Sequence, residues 1–187
     1  MNKENEKSPS QTSEPNKTSE AQVCIEIERK FLVSSVPKNL QSFPMTTVRQ
    51  GYLPLGIPRV VLRVREEIKE GEESTFQEKK YFINIKKGIG LQRTEIHIPI
   101  DKQEFLRLWN STNERIYKQR YFIPLVNNLT AQLDVYAGPL KCFMSVEVEF
   151  ENKEQASAFV PPAWFGEEKS HDPRYSNDLL AKNGLPE

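Results

Sequence analysis

The chain reads as an antiparallel α+β fold of about eight strands, and three observations predict it. Short segments alternate apolar and polar residues with a period of two. Gly, Pro and Asn clusters punctuate them as turns. The few helix-like segments are short and fall in the second half of the chain. With 187 residues and 21.7 kDa, one domain with a sizeable core is expected, not two. The 26 basic and 26 acidic residues cancel, so bulk charge points to neither a nucleic-acid nor a membrane-surface partner. There is no apolar run fit to span a bilayer and no leader-like n-region and h-region, which makes a soluble cytoplasmic protein the default. Oligomeric state has no signature in the sequence.

Residues 1–21 are rich in Asn, Lys, Glu, Ser, Pro and Thr. Such a segment cannot bury enough apolar surface to offset its ordering entropy and is expected to be a disordered tail, leaving 22–187 as the folded domain. The first strand runs from about Val23 to Val33. Its alternation puts Glu26, Glu28 and Lys30 on one face and Ile25, Ile27, Arg29 and Phe31 on the other. Ser34 to Phe43 reads as a loop with a helical turn, Thr46 to Leu53 as the second strand and Arg59 to Glu66 as the third. In the third, Arg63 and Arg65 oppose Leu62 and Val64. The charged stretch 68–80 reads as a hairpin tip turning at Gly71. Phe82 to Lys86 resumes a strand, and Gly88 and Gly90 mark a turn. In the next strand, Arg93 to Ile100, Arg93, Glu95 and His97 share a face.

Asp101 with Glu104 three residues on is a capping-box start for a short helix, with Phe105, Leu106, Leu108 and Trp109 as its apolar face. Strands follow at Arg115–Leu125, with Lys118 and Arg120 together, at Leu129–Tyr136, containing Asp134, and at Cys142–Glu151, with Glu147 and Glu149 together. Lys153 to Val160 is helix-like and stops at Pro161-Pro162. The remainder reads as a loop and a short helix near 175–182 capped by Gly184. The only cysteines, Cys24 and Cys142, lie in strand-like segments without metal-type spacing and read as small packing residues.

Alternation alone is also what a solvated antiparallel face produces. The residue identities argue for more. Carboxylates at i and i+2 of a strand stand about 6.5 to 7 Å apart, and like charges placed as neighbours repel. Yet Arg63 with Arg65, Lys118 with Arg120, Glu26 with Glu28 and Glu147 with Glu149 are all like-charged pairs. If the sheet closes with these faces inward, basic and acidic strands confront each other across a wet lumen. Lys30, Arg63, Arg65, Lys86, Arg93, Lys118 and Arg120 are then the candidate substrate-binding residues, too many for a carboxylate ligand but suited to a triphosphate. Glu26, Glu28, Glu147 and Glu149 are hard oxygen donors suited to Mg²⁺ or Mn²⁺. Phosphoryl transfer depends mainly on positioning and charge neutralisation, so no nucleophilic Ser, Cys or His is required.

These motifs resemble, in order, the signature of the CYTH, or triphosphate tunnel metalloenzyme, superfamily: Glu-x-Glu-x-Lys at 26–30, Arg63-x-Arg65, Lys86, Arg93-x-Glu95, Lys118-x-Arg120-Tyr121, Asp134, Glu147-x-Glu149 and the terminal 174–177 run RYSN. The resemblance covers residues 24 to about 181. It implies an eight-stranded antiparallel tunnel, a β-barrel with flanking helices, that hydrolyses or rearranges triphosphates with a divalent metal. It further implies Lys30, Glu28 and Glu149 as catalytic residues. His97 stands where the family often has an acid, which leaves open whether it binds metal, accepts a proton or merely lines the lumen. With no base-recognition motif in view, inorganic tripolyphosphate is the expected substrate. Thiamine triphosphatase, adenylate cyclase of the same fold and a non-catalytic polyphosphate-binding module remain the alternatives.

Overall fold

A computed structural model describes residues 20–70, 77–88 and 90–187. Strands β1 (Gln22–Val33), β2 (Met45–Leu53), β3 (Val60–Glu70), β4 (Gln77–Lys87) and β5 (Gln92–Ile100) precede helix α1 (Lys102–Trp109). Strands β6 (Glu114–Pro124), β7 (Thr130–Ala137) and β8 (Met144–Glu149) follow, then α2 (Lys153–Ala158), β9 (Phe165–Glu168) and α3 (Asn177–Asn183). The sheet order is β5-β4-β3-β2-β6-β7-β8-β1-β9, and a further β5–β1 pairing closes eight antiparallel strands into a barrel. Strand β1 makes the closure by dividing its length. Its Gln22–Ile27 half pairs with β5, and Glu28–Leu32 pairs with β8.

The ninth strand lies where a loop was predicted. Phe165–Glu168 is short and its sequence FGEE has no alternation, so its signal is tertiary. It pairs with β1 at Phe31 and Val33. Arg29, on the outward face of β1, holds it with a two-bond grip on Glu168, Nε to Oε1 at 2.9 Å and Nη2 to Oε2 at 2.6 Å. The same guanidinium donates from Nη1 to the carbonyls of Ala156 and Phe159, fastening α2 to the barrel.

Other boundaries move less. Strand β8 is shorter than the predicted Cys142–Glu151, because Cys142 sits in a turn at φ 75° and Asn152 already caps α2. Both cysteines are exposed rather than packed. Partial burial, with Glu95 and Glu26 close by, pushes the Cys24 thiol up, away from reactive thiolate character. The hairpin of β3 and β4 is longer than expected, pairing through Glu70↔Gln77. Its predicted turn at Gly71, and nearly all of the predicted tail at 1–21, lie outside the described residues.

Outside the barrel, Ile27 and Phe31 of β1 pack with Phe165 and with Leu133, Val146 and Val148 of β7 and β8. Helix α1, capped by the Asp101–Glu104 box, lays Phe105 and Trp109 against Val64. Inside, one end of the lumen is filled by Tyr52, Ile116, Tyr136 and Leu140 together with Leu180 of α3. Gly51 lets α1's exit pass close to β2: a Cβ there would meet Thr112 Oγ1 at 2.5 Å and Thr112 Cβ at 2.8 Å. Gly51→Ala is therefore expected to cost about 1 to 3 kcal/mol, measured by urea denaturation, whereas Ala at exposed Gly56 meets no neighbour within 4 Å and strains only its backbone at φ 64°. Among the described residues no helix is long and apolar enough to cross a membrane.

Candidate active site

The period of two delivers the charged face of nearly every strand to the lumen, and the register decides which charges meet. As Cα partners the structure pairs Glu26 with Arg93, Lys30 with Glu147, Lys86 with Glu95 and Arg120 with Asp134. Opposite charges thus face each other across four strand seams. The β1–β8 seam also holds a like-charged pair, for Glu28 stands directly opposite Glu149.

A cavity of about 150 Å³ lies within the barrel. Its basic lining is Lys30, Arg63, Arg65, Lys86, Arg93 and Arg120; its acidic lining is Glu26, Glu28, Glu95, Glu147, Glu149 and Asp178. Six bases thus meet six acids, and they engage one another. Lys86 Nζ donates to both Glu26 oxygens at 2.7 and 2.8 Å. Arg93 reaches Glu26 at 3.3 Å and also bonds Glu28. Lys30 Nζ lies 2.9 Å from Glu147 Oε1 and donates to the Tyr175 carbonyl at 3.0 Å. Glu147 Oε2 accepts from Arg120 Nη2 at 2.7 Å. Arg63 Nη2 donates to Glu95 at 3.3 Å, and Glu149 accepts from Gln132 at 2.9 Å.

The ionisation of these groups follows from what surrounds them. Burial alone would lower the Lys30 ammonium, but Glu147 and Glu28 hold it above its ordinary value. Burial works against the Glu147 carboxylate too, yet Lys30, Arg120 and Lys118 keep it well below the usual carboxylate range. Glu28 is pushed up, by burial first and then by Glu147. Arg65 is lowered to about 10 by burial and by Arg63 beside it. Its Nε stands 3.1 Å from Glu67 but out of line for a hydrogen bond, and Arg65 Nε and Arg93 Nε are buried donors with no hydrogen-bond partner among the described residues. Both guanidinium groups keep donor capacity for an incoming anion.

Of the predicted phosphate-binding residues, Lys118 alone is not brought to the cavity lining. Its side chain is 1% exposed and its Nζ bonds Asp134. Burial and Arg120 together lower its ammonium to about 7. Asp134, fully buried, also accepts from Arg120 Nε and Nη2 at 2.7 Å each. Lys118 and Asp134 therefore form a layer behind Arg120 that aims it at the lumen. The RYSN run at 174–177 matches as a motif without a predicted site role, yet the N-cap Ser176 and the first residues of α3, Asn177 and Asp178, line the cavity. Asn177 accepts from Tyr136 Oη at 2.7 Å. The run of short polar residues at 176–178 was the available signal for this role.

Among the described residues no three acids stand together in a metal-binding arrangement, and Lys86 and Arg93 bond Glu26 and Glu28. The chemistry of the donors nonetheless fits a hard divalent ion. Glu28 and Glu149 oppose each other as Cα partners and Glu26 lies two residues along; the Glu28 carboxyl, raised by burial first and then by Glu147, is one whose ionised form a cation would favour.

No protein-family model matches the chain. It is 43% identical over 158 residues to an inorganic triphosphatase of Nitrosomonas europaea, across 83% of this chain and 96% of that protein. An inorganic triphosphatase of Acetivibrio thermocellus is 29% identical over 161 residues, across 84% of this chain and 94% of its own length. Among solved structures, the crystal structure of the inorganic triphosphatase NE1496 superposes with a TM-score of 0.60 at 38% identity, covering 86% of this chain and 97% of that one.

Proposed function

The chain belongs to the CYTH, or triphosphate tunnel metalloenzyme, superfamily, and we propose that it hydrolyses inorganic tripolyphosphate to pyrophosphate and phosphate with Mg²⁺ or Mn²⁺. The observation that supports this most is the matched set of exchangeable charges in one lumen: the bases are paired to acids, two guanidinium groups keep spare donors, and one acid pair stands face to face. A substrate bearing several negative charges and accompanied by divalent ions replaces those pairs like for like. The bases would then hold phosphate oxygens and the acids a divalent ion. Both curated relatives named above are inorganic triphosphatases, which favours a substrate made only of phosphate.

On this reading Lys30, Arg63, Arg65, Lys86, Arg93 and Arg120 bind phosphate oxygens, the arginines as planar forks and the lysines as point charges. Lys118 acts through Arg120. Glu26, Glu28, Glu147 and Glu149 would hold the divalent ion, Glu147 being paired meanwhile to Lys30 and Arg120. When bound, the ion supplies Lewis-acid neutralisation of charge on the phosphate oxygens. Of the four glutamates, Glu149, bonded among the described residues only by Gln132, would also orient the attacking water. Positioning and charge neutralisation supply the rate enhancement, and no covalent enzyme intermediate is formed.

The test is to incubate the full-length protein with tripolyphosphate, ATP and thiamine triphosphate, following phosphate, pyrophosphate and cyclic nucleotide. Tripolyphosphate cleavage is expected to dominate, to stop in EDTA and to return with Mg²⁺ or Mn²⁺. Tight tripolyphosphate binding without turnover would make the protein a polyphosphate-binding module, and cyclic nucleotide release would make it a cyclase.

A further inference from the structure

Three polar side chains on neighbouring strands form a directed chain of hydrogen bonds ending at the lumen. Arg63 and Asn84 are Cα partners between β3 and β4, and Asn84 and His97 are partners between β4 and β5. Arg63 Nε donates to Asn84 Oδ1 at 3.3 Å, and Asn84 Nδ2 stands 2.8 Å from His97 Nδ1. The Asn84 side chain belongs to a residue only 1% exposed, so it has no water to turn to.

The donor and acceptor roles along this chain follow from chemistry. A guanidinium can only donate, so the oxygen of the Asn84 amide must face Arg63. The amide nitrogen then faces His97, and it too can only donate. Nδ1 of His97 must therefore offer its lone pair, which makes the imidazole neutral with its proton on Nε2. Two further observations agree. The Phe82 ring lies 4.1 Å from the imidazole centroid and fixes its plane. Burial, aided by Arg65 and Arg63 against Glu95 and Glu67, holds the imidazolium below its ordinary value. His97 shares the lining of the cavity with Arg63 and Arg65.

We propose that His97 donates its Nε2–H to a phosphate oxygen of the bound triphosphate beside Arg63 and Arg65, and that Asn84 is the positioning residue that sets this tautomer. The proposal rests on the triphosphate reading above. It resolves the question left open at His97: with Nδ1 engaged by Asn84 and Nε2 protonated, the ring neither ligates a metal ion nor takes a proton from water. A glutamate at this position would add a further acid to the lumen, whereas a neutral donor adds a contact to substrate and leaves the charge balance unchanged.

Two measurements test it. The chain has only two histidines, His97 and His171, so long-range ¹H–¹⁵N spectra of the full-length protein can be assigned by the loss of one ring in His97→Gln. Wild type is expected to show His97 unprotonated at Nδ1 and protonated at Nε2, and Asn84→Ala to lose that preference. In steady-state assays with tripolyphosphate, His97→Ala is expected to raise KM about ten-fold, with the loss falling on KM more than on kcat. His97→Gln, which keeps an N–H donor, recovers most of that loss, and the Mg²⁺ concentration for half-maximal rate does not move in either variant. A proton found on Nδ1, an unchanged KM in His97→Ala, or a shifted Mg²⁺ requirement overturns the inference while wild-type turnover stands. Absence of wild-type turnover overturns the triphosphatase reading beneath it, and the inference with it.

Discussion

Lys30→Met is expected to lower kcat/KM for tripolyphosphate by about 10³-fold. Methionine keeps the length and apolar stem of lysine and removes the ammonium. That ammonium is held charged between Glu147 and Glu28, on a residue 8% exposed. In such a site a fixed cation acts with little solvent screening and needs no reorganisation when charge moves along the phosphate chain. The stability cost should be smaller, because Glu147 keeps its 2.7 Å bond from Arg120. A folded Lys30→Met protein losing less than about ten-fold in kcat/KM, well under the usual effect of one such donor, would remove Lys30 from the catalytic role.

Asp134→Ala is expected to cost about 3 to 5 kcal/mol, read as a fall in Tm of roughly 6 to 20 °C for a chain of this size. The carboxylate is completely buried and is shared by Lys118 and Arg120. Without it both cations are stranded. Lys118 can escape by releasing its proton, since its ammonium already titrates near 7. Arg120 cannot, and would retain Glu147 and Gln132 as its partners. Acid should expose the same dependence. Burial opposes the Asp134 carboxylate, but Arg120 and Lys118 outweigh it and hold its pKa below the ordinary value. Its stabilisation is therefore complete above the usual carboxylate range and is lost as pH falls from about 4 through the depressed value. The wild-type Tm should drop over that interval more steeply than that of the variant. A loss under about 1 kcal/mol, within the range of a surface ion pair, would show that Asp134 is not what compensates the two buried cations.

The arrangement of strands was legible because it rests on local rules. A side-chain period of two, turn residues at Gly88 and Gly90, and the Asp101–Glu104 box each act within a few residues, and each appears in the structure close to where the sequence placed it. The same period put Glu26, Glu28, Lys30, Arg63, Arg65, Lys86, Arg93 and Arg120 on the faces that now line one cavity. Strand β9 was not legible, since four residues without alternation become a strand only when Arg29 grips Glu168.

What the sequence determined by itself is therefore which side chains share a face and which charges are present. Only the tertiary structure decided which of those charges meet. Two residues on one face can be lumen-lining or fully buried depending on which residues they meet across the same seam, and so Arg120 reaches the cavity while Lys118, two positions away on the same strand, stays behind it on Asp134. The role of His97 has the same origin. Its tautomer is set by Asn84, thirteen residues earlier, which is itself oriented by Arg63, twenty-one residues earlier again. Alternation is a property of one strand, whereas register is a relation between strands, set by closure of the whole barrel.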